Sequence, residues 1–284
     1  MAGDLAARLE AALGRRPRRL SSLSGGCVAE IYRVELADGD VVVAKLGREP
    51  GALPTEAYML RYLRQHSDLP VPDVLHADDD LLVMSFIAGG DALDASAERH
   101  AAELLAALHD ITAPCYGLER DTLIGGLAQP NPPTASWLDF FRDHRLLYMA
   151  RQAHDAGRLP AAMLGRIEAL AGRLDRWLVE PARPSLIHGD MWGGNVLVKG
   201  GRIAGFVDPA IYYADPEIEL AFATLFSTFG DAFFARYGAL RPLRPGFFEA
   251  RRDLYNLYPL LVHTRLFGGS YAGAVGRTLD RLGG

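Results

Sequence analysis

Three polar residues of the types that phosphoryl transfer needs lie at short, fixed spacings in this sequence. Asp190 follows His188-Gly189, Asn195 comes five residues after Asp190, and Asp208 comes thirteen residues after Asn195. A carboxylate can orient an attacking hydroxyl, while an amide oxygen and a second carboxylate can hold Mg²⁺ on the phosphates of ATP. We therefore predict Asp190 as the catalytic residue and Asn195 and Asp208 as the metal ligands. His188 is expected to brace this loop through hydrogen bonds.

The same spacing occurs in the H-R-D-x-x-x-x-N and D-F-G segments of protein kinases. Gly189 stands in place of Arg, and Asp208-Pro209-Ala210 stands in place of D-F-G. A kinase also needs a cation on the ATP phosphates, and Lys45 ends the apolar run Val41–Lys45. Glu56 follows eleven residues later on the core-facing side of a predicted helix, so we expect it to pair with Lys45.

Small residues and a strand end complete the predicted nucleotide site. Ser24, Gly25, Gly26 and Cys27 precede the first long strand, where backbone N–H groups can approach phosphate oxygens. The run Met84, Ser85, Phe86 and Ile87 is expected to cross between two lobes and to offer backbone groups to the adenine.

Periodicity places these residues in a two-lobed protein. A helix over residues 4–13, strands near 28–36 and 41–46 joined by Asp38-Gly39, a helix over 54–66, and strands near 74 and at 81–87 predict a small β-rich lobe. Later segments are helical, at 97–110, 135–155, 161–179, 216–236 and 246–267, apart from a hairpin over 195–207. We predict an α+β, protein-kinase-like fold with a nucleotide-binding lobe over 1–88 and a larger, mainly helical catalytic and substrate lobe over 89–284.

Composition limits the classes of protein that fit. The 284 residues are 49% hydrophobic and 23% charged, with a net charge of −5, which argues against a general nucleic-acid binder. Two cysteines form no zinc or disulfide pattern, and neither a signal peptide nor a membrane span is visible. A soluble, cytoplasmic protein is expected. The arginines of residues 15–19 are expected in a solvated loop, and residues 125–134 in a surface connector near the site.

Longer motifs resemble those of the fructosamine kinases, also called ketosamine-3-kinases, within the aminoglycoside-phosphotransferase-like kinases. Residues 24–27 resemble that family's GGGC-type loop, 188–195 its HGDLWSGN loop and 208–213 its DPA-x-Y segment. Residues 131–142 and 257–271 are similar to two further stretches, so the likeness covers nearly the whole chain. The resemblance implies Mg²⁺- and ATP-dependent phosphorylation of the 3-hydroxyl of ketosamines, followed by release of the amine.

The resemblance also gives expectations for partners. Trp192 is a candidate for packing on the sugar or the amine-bearing chain, although a core position fits it nearly as well. His188 and Tyr213 are further, weaker candidates on the substrate side. A monomer is expected, with a redox-linked dimer through Cys27 as the alternative.

Two other functions stay open. An aminoglycoside, choline or other hydroxyl kinase shares the catalytic spacing, and a pseudokinase could bind nucleotide and a protein partner without catalysis. The identity of the sugar and the choice between a free and a protein-bound amine are also open.

Overall fold

The structure, a computed structural model, describes residues 2–23, 30–47 and 49–283. Residues 1–97 and 194–209 form one compact unit, and residues 98–193 and 210–284 form a second. Each unit is thus built from two separate segments of the chain. The division of function at residue 88 remains a prediction.

A five-stranded antiparallel sheet forms the centre of the first unit. Its strands are β1 (Pro17–Leu23), β2 (Glu30–Leu36), β3 (Val41–Leu46), β4 (Val74–Ala77) and β5 (Leu81–Ser85), in the spatial order β1-β2-β3-β5-β4. The helices α1 (Ala2–Leu13) and α2 (Ala52–His66) belong to the same unit. Leu5 and Leu9 of α1 share a buried core with apolar side chains of β2, β3 and β5, which explains the helical spacing of that first segment. The predicted β-β-α-β-β elements are present as β2, β3, α2, β4 and β5, but the structure has one further strand, β1, before them.

The strand β1 corrects the prediction that residues 15–19 form a solvated loop. Residues 17–19 begin β1, which pairs antiparallel with β2 at the edge of the sheet. Proline at the first residue of an edge strand removes no hydrogen bond that the sheet needs. Arg15, just before the strand, forms ion pairs with Asp38 and Asp40 of the turn between β2 and β3.

The remaining elements follow in chain order. They are α3 (Ala95–His109), β6 (Thr122–Ile124), β7 (Leu127–Gln129), α4 (Trp137–Phe141), α5 (Leu147–Asp155), α6 (Ala161–Ala171), β8 (Ser185–Ile187), β9 (Val196–Lys199), β10 (Arg202–Phe206), β11 (Tyr212–Ala214), α7 (Glu217–Leu225), α8 (Asp231–Leu240), α9 (Arg252–Phe267) and α10 (Ser270–Arg281). The hairpin of β9 and β10 belongs to the first unit and confirms the predicted hairpin. The second unit is mainly helical, with the small pairs β6–β7 and β8–β11.

Two of the predicted helices end earlier in the structure than the sequence pattern predicts. The segment 216–236 contains α7 and the start of α8, because Glu98 accepts hydrogen bonds from the backbone N–H groups of Gly230 (2.9 Å) and Phe233 (3.2 Å). This carboxylate caps a new helix at that point, which a local pattern does not reveal. The segment 161–179 leaves the α-helix after Ala171. None of the described helices has the length and apolar composition of a membrane span.

The predicted surface connector over residues 125–134 is a second correction. Its first part turns between β6 and β7 at Gly125 and Gly126, whose φ angles are 54° and 81°. Gln129 and Asn131 are almost fully buried, with 1% and 0% of their surface exposed. The turn at Gly125 and Gly126 is exposed as predicted, whereas the two amide side chains are packed inside the second unit, where polar groups are rarely without hydrogen-bond partners.

Candidate active site

Lys45 lies at the centre of a cluster of charges in the first unit. It belongs to β3 and is 6% exposed, and its Nζ donates to Glu56 Oε1 of α2 at 2.6 Å. The same ammonium donates to Asp208 Oδ1. The ion pair of Lys45 and Glu56 that the sequence predicted is present, and the contact of Lys45 with Asp208 was not predicted. The role of the three residues in nucleotide binding remains a prediction.

This cluster has one ammonium for two carboxylates. Burial lowers the pKa of an ammonium, but the charges of Glu56 and Asp208 outweigh it and the pKa of Lys45 is raised. Burial has the largest effect on Glu56 and, with the charge of Asp208, raises the pKa of that carboxyl against the opposing charge of Lys45. Lys45 thus stays protonated and is shared between the two carboxylates.

The hairpin of β9 and β10 positions Asp208 and Asn195 in the first unit. The backbone N–H of Val207 donates to the carbonyl oxygen of Asn195 at 3.0 Å, so the two ends of the hairpin meet. Asp208 has a φ of 53°, a left-handed conformation that Asp tolerates better than most residues. The hairpin thus brings Asp208 back towards Asn195 at the level of the backbone, and a site that these two residues share with Asp190 remains a prediction.

Asn195 and Asp208 offer oxygen donors, which suit a hard cation such as Mg²⁺. The Asn195 residue is 3% exposed, and the side chain of Asp208 is 41% exposed. Within residues 2–23, 30–47 and 49–283, no group of three or more His, Cys, Asp or Glu side chains forms a metal cage. Mg²⁺ is commonly bound by one or two protein oxygens together with substrate phosphates and water, so the donor set fits that ion.

Glu219, the third residue of α7, accepts hydrogen bonds from the backbone of the loop that contains Asp190. The N–H of His188 donates to both oxygens of this carboxylate (3.0 and 2.9 Å), and the N–H of Gly189 donates to Oε2 at 3.1 Å. His109 of α3 lies 3.3 Å from Oε1 through its Nε2, and its Nδ1 lies 2.8 Å from the hydroxyl of Tyr237. Burial would raise the pKa of Glu219, but the bond with His109, nearby charges and the backbone donors lower it overall. Glu219 is therefore ionised and fixes the backbone two residues before Asp190.

The position before Asp190 accepts only glycine. The φ of Gly189 is 87°, and a Cβ at this position would lie 2.0 Å from the carbonyl oxygen of Ala210. The N–H of Ala210 in turn donates to the carbonyl oxygen of His188 at 2.7 Å. Two backbone segments therefore pack directly on each other, which only glycine permits.

The predicted substrate residues fall in different environments. Trp192 is 40% exposed, which rules out the alternative of a core tryptophan. Its ring lies 6.5 Å from that of Phe226, which lies 5.0 Å from His263. His188 is fully buried and Tyr213 is 8% exposed in β11, which favours a supporting role for both over contact with a bound molecule. Their assignment to the substrate side remains a prediction.

The predicted adenine contact lies at and just beyond the end of β5. Met84 is buried within β5, and the N–H of Ser85 donates to the carbonyl oxygen of Asp73 at 2.9 Å. Phe86 and Ile87 follow the end of the strand, so their backbone groups are the better candidates. The predicted phosphate turn Ser24-Gly25-Gly26-Cys27 lies outside the described residues. Of the two cysteines, Cys115 is a free thiol.

Local sequence patterns did not identify His109 and Tyr237 as supports of this loop. Glu219 and His109 are 110 residues apart in the chain, so no local spacing joins them. The available signal was a histidine in the last turn of a predicted helix and an acid in the first turn of another.

Comparison with known proteins identifies close relatives in sequence. A sequence model of the family described as fructosamine kinase matches residues 1–283. A probable ketoamine kinase of Synechocystis is 36% identical over 263 residues, which cover 88% of this chain and 85% of that protein. The chloroplastic protein-ribulosamine 3-kinase of Arabidopsis thaliana is 29% identical over 274 residues, which cover 92% of this chain and 82% of that protein.

Solved structures give the same picture of the fold. A candidate fructosamine-3-kinase of Thermobifida fusca matches with a TM-score of 0.88 and 32% identity, over 98% of this chain and 97% of that one. An aminoglycoside phosphotransferase matches with a TM-score of 0.70 over 99% of both chains, and at 16% identity this likeness concerns the fold alone. The predicted α+β, protein-kinase-like fold is confirmed.

Proposed function

Because the chain belongs to the fructosamine kinase family, we propose that it transfers the γ-phosphoryl group of ATP to the 3-hydroxyl of ketosamines. Ketosamines are adducts of a sugar with an amine, and the proposal includes fructosamine, ribulosamine and erythrulosamine adducts of small amines or protein lysines. The observation that carries the proposal is the contact of buried Lys45 with both Glu56 and Asp208. This combination of residues is what a kinase uses to hold a nucleotide and its metal.

Each charged residue of the cluster has its own proposed role in binding Mg²⁺–ATP. Lys45 donates to the α- and β-phosphates, and Glu56 holds the ammonium in place for that purpose. Asp208 and Asn195 hold Mg²⁺, which supplies positive charge to the phosphates when bound.

Asp190 is proposed to act on the attacking hydroxyl. The 3-hydroxyl oxygen forms a bond to the γ-phosphorus, the bond from that phosphorus to the β–γ bridging oxygen breaks, and ADP leaves. Asp190 orients the hydroxyl and accepts its proton. Because phosphoryl transfer depends mainly on positioning, the rigid backbone that Glu219 holds before Asp190 supports this role.

Trp192 is proposed to contact the substrate beside Asp190. An exposed indole two residues from the catalytic carboxylate can cover the C–H face of a sugar or lie against an ammonium. Its neighbour Phe226, which is 37% exposed, extends the aromatic surface. This surface suits an amine-bearing substrate better than a strongly anionic one.

The proposed product decomposes, because phosphate on C3 is a better leaving group than hydroxide: after enolisation the C3–O bond breaks, inorganic phosphate leaves, and water hydrolyses the resulting C1 imine to the free amine and a 3-deoxy dicarbonyl sugar. We propose that the chain acts in the cytoplasm, since its two cysteines form no disulfide pattern. A monomer is proposed. A redox-linked dimer through Cys27, which lies outside the described residues, is the alternative.

The decisive experiment measures Mg²⁺-dependent ADP formation with fructosamine, ribulosamine and erythrulosamine adducts of lysine, and with kanamycin and choline. Turnover of a ketosamine that is lost in Asp190→Asn, a variant that keeps the shape of the side chain, supports the proposal. Phosphorus NMR of the product then locates the phosphate. Turnover of kanamycin or choline without any ketosamine would replace the proposal by another hydroxyl kinase. Nucleotide binding without any turnover would point to a pseudokinase.

A further inference from the structure

Gln129, the last residue of β7, forms a buried set of hydrogen bonds that the proposed mechanism does not use. Its Nε2 donates to the carbonyl oxygen of Ala210 at 3.0 Å and to Thr122 Oγ1 at 2.9 Å. Its Oε1 accepts from the hydroxyl of Tyr258 at 2.7 Å. Because a carbonyl oxygen can only accept, the amide must turn its NH₂ group towards Ala210, which fixes its orientation.

The carbonyl oxygen that Gln129 holds is the one that packs on the catalytic loop. A Cβ at Gly189 would lie 2.0 Å from it, and the N–H of Ala210 donates to His188 at 2.7 Å. Both backbone groups of Ala210 are therefore engaged, one by Gln129 and the other by the loop. Gly189 directly precedes Asp190, so a rotation of the peptide at Ala210 would be passed to the residue before the catalytic carboxylate.

The same hairpin also anchors the next residue and is itself rigidly held. Thr122 Oγ1 donates to the carbonyl oxygen of Ile211 at 3.3 Å and accepts from Asn131 Nδ2 at 2.8 Å. The Oδ1 of Asn131 accepts from Arg145 Nη2 at 2.6 Å. The guanidinium carbon of Arg145 lies 3.8 Å from the centre of the Tyr212 ring, and that side chain is fully buried. A network of this kind gives Gln129 little freedom to move.

We infer that Gln129 is a positioning residue for the proposed phosphoryl transfer, and that Tyr258 orients it. The inference rests on the proposed function for its catalytic consequence. Gln129 acts through Ala210 and Gly189 and does not touch the substrate in this role. A displacement of about 1 Å in a catalytic group costs about 10²-fold in rate, so the loss of this single donor is expected to lower kcat.

Gln129→Glu and Gln129→Leu test this role, because kcat should depend on pH in the first variant and not in the second. The Glu variant has nearly the same shape, and its carboxyl can donate to Ala210 only when it is protonated. Burial raises the pKa of a carboxyl and the charge of Arg145, whose guanidinium carbon lies 5.6 Å from the centre of the Tyr258 ring, opposes that rise, so the assay covers the widest pH range in which the wild type stays folded. We expect kcat of the Glu variant, relative to the wild type, to rise as the pH falls. The Leu variant, which has no donor at any pH, should stay about 10²-fold low throughout.

The matched control is Thr264→Val, which removes a buried hydroxyl that donates to Leu260 within α9 at 2.8 Å. This variant should lower the melting temperature without changing kcat. The KM for ATP is expected to stay near the wild-type value in the Gln129 variants. A Tyr258→Phe variant, which leaves both donors of Gln129 in place, should lose less activity than Gln129→Leu. Equal, pH-independent kcat ratios for the Glu and Leu variants would overturn the inference.

Hydrogen–deuterium exchange separates this inference from the proposed function, because it needs no substrate. Faster exchange is expected over residues 186–192 and 210–212 in Gln129→Leu but not in Thr264→Val. Exchange that is unchanged in both segments would overturn the inference whatever the substrate. A wild type that turns over no ketosamine, with exchange altered as expected, would overturn the proposed substrate while the hold of Gln129 on the loop stands. The kcat comparison is then made with whichever hydroxyl acceptor is phosphorylated.

Discussion

Replacement of Glu219 by Gln removes a charge on which the backbone before Asp190 depends. The carboxylate accepts from the N–H groups of His188 and Gly189 and lies beside His109. A hydrogen bond to a charged group contributes about 1.5–3 kcal/mol, against about 0.5–1.5 kcal/mol for a neutral one. The hydrogen bonds of these two N–H groups should therefore contribute about 2–3 kcal/mol less to stability in the variant, and the new NH₂ group must also face a donor. Burial raises the pKa of Glu219, but the hydrogen bond with His109, the charges of His109 and His188 and the backbone donor Gly189 together lower it below its ordinary value.

The assay is urea unfolding of the wild type and Glu219→Gln across a range of pH. Folding lowers the pKa of Glu219 from its ordinary value of 4.5, so the ionised form stabilises the folded protein. This contribution is complete above pH 4.5 and is lost as the pH falls through the lower folded value. The stability difference between the two proteins should thus be about 2–3 kcal/mol at neutral pH and shrink in acid.

A matched control and the kinetics complete this test. Glu168→Gln changes a carboxylate that is 48% exposed and 3.7 Å from Arg151, so it should alter the free energy of unfolding by less than about 0.5 kcal/mol. The kcat of Glu219→Gln should fall by about 10²-fold, because the backbone before Asp190 moves and displaces its carboxylate. A difference in stability that stays constant or grows in acid would refute the reasoning.

Three further substitutions test the site. Lys45→Met should lower kcat/KM by about 10²-fold or more, while the exposed Lys199→Met should not; equal effects in steady-state kinetics would argue against a phosphate contact. Gly189→Ala should abolish activity and lower the melting temperature, because its Cβ meets a carbonyl oxygen at 2.0 Å, whereas Gly165→Ala in α6 has free space and should stabilise by about 0.5–1 kcal/mol. Trp192→Ala should raise the KM for the ketosamine about tenfold with little change in melting temperature, and an unchanged KM would remove Trp192 from the substrate surface.

The sequence predicts those parts of the fold that local patterns determine. The turn at Asp38-Gly39 and the hairpin before Asp208 are each set by residues within a few positions of each other. Elements that depend on distant partners were missed. The break between α7 and α8 is made by Glu98, more than a hundred residues before it in the chain.

The contacts of the candidate site could likewise be predicted only where they are local. Lys45 and Glu56 were paired from their spacing because a strand followed by a helix fixes their separation, and the structure contains that ion pair. Asp208 joins them from 163 residues away, and its contact with Lys45 could not be read from any window of the sequence. Short motifs therefore reveal the residues that could carry out chemistry, but they do not reveal the charged residues that lie around them in the folded protein.

Gly189 shows why the supporting residues are the hardest to predict. The sequence marks it as the residue between His188 and Asp190, but its physical reason is the carbonyl oxygen of Ala210, 21 residues later. That carbonyl is in turn held by Gln129, from a segment that looks like a polar surface connector. A glycine that must lie against another backbone identifies the carbonyl it meets, and the donor to that carbonyl is the next residue on which the loop depends. Once the tertiary contacts are known, the residues that support a short motif can therefore be found by following its hydrogen bonds from one residue to the next.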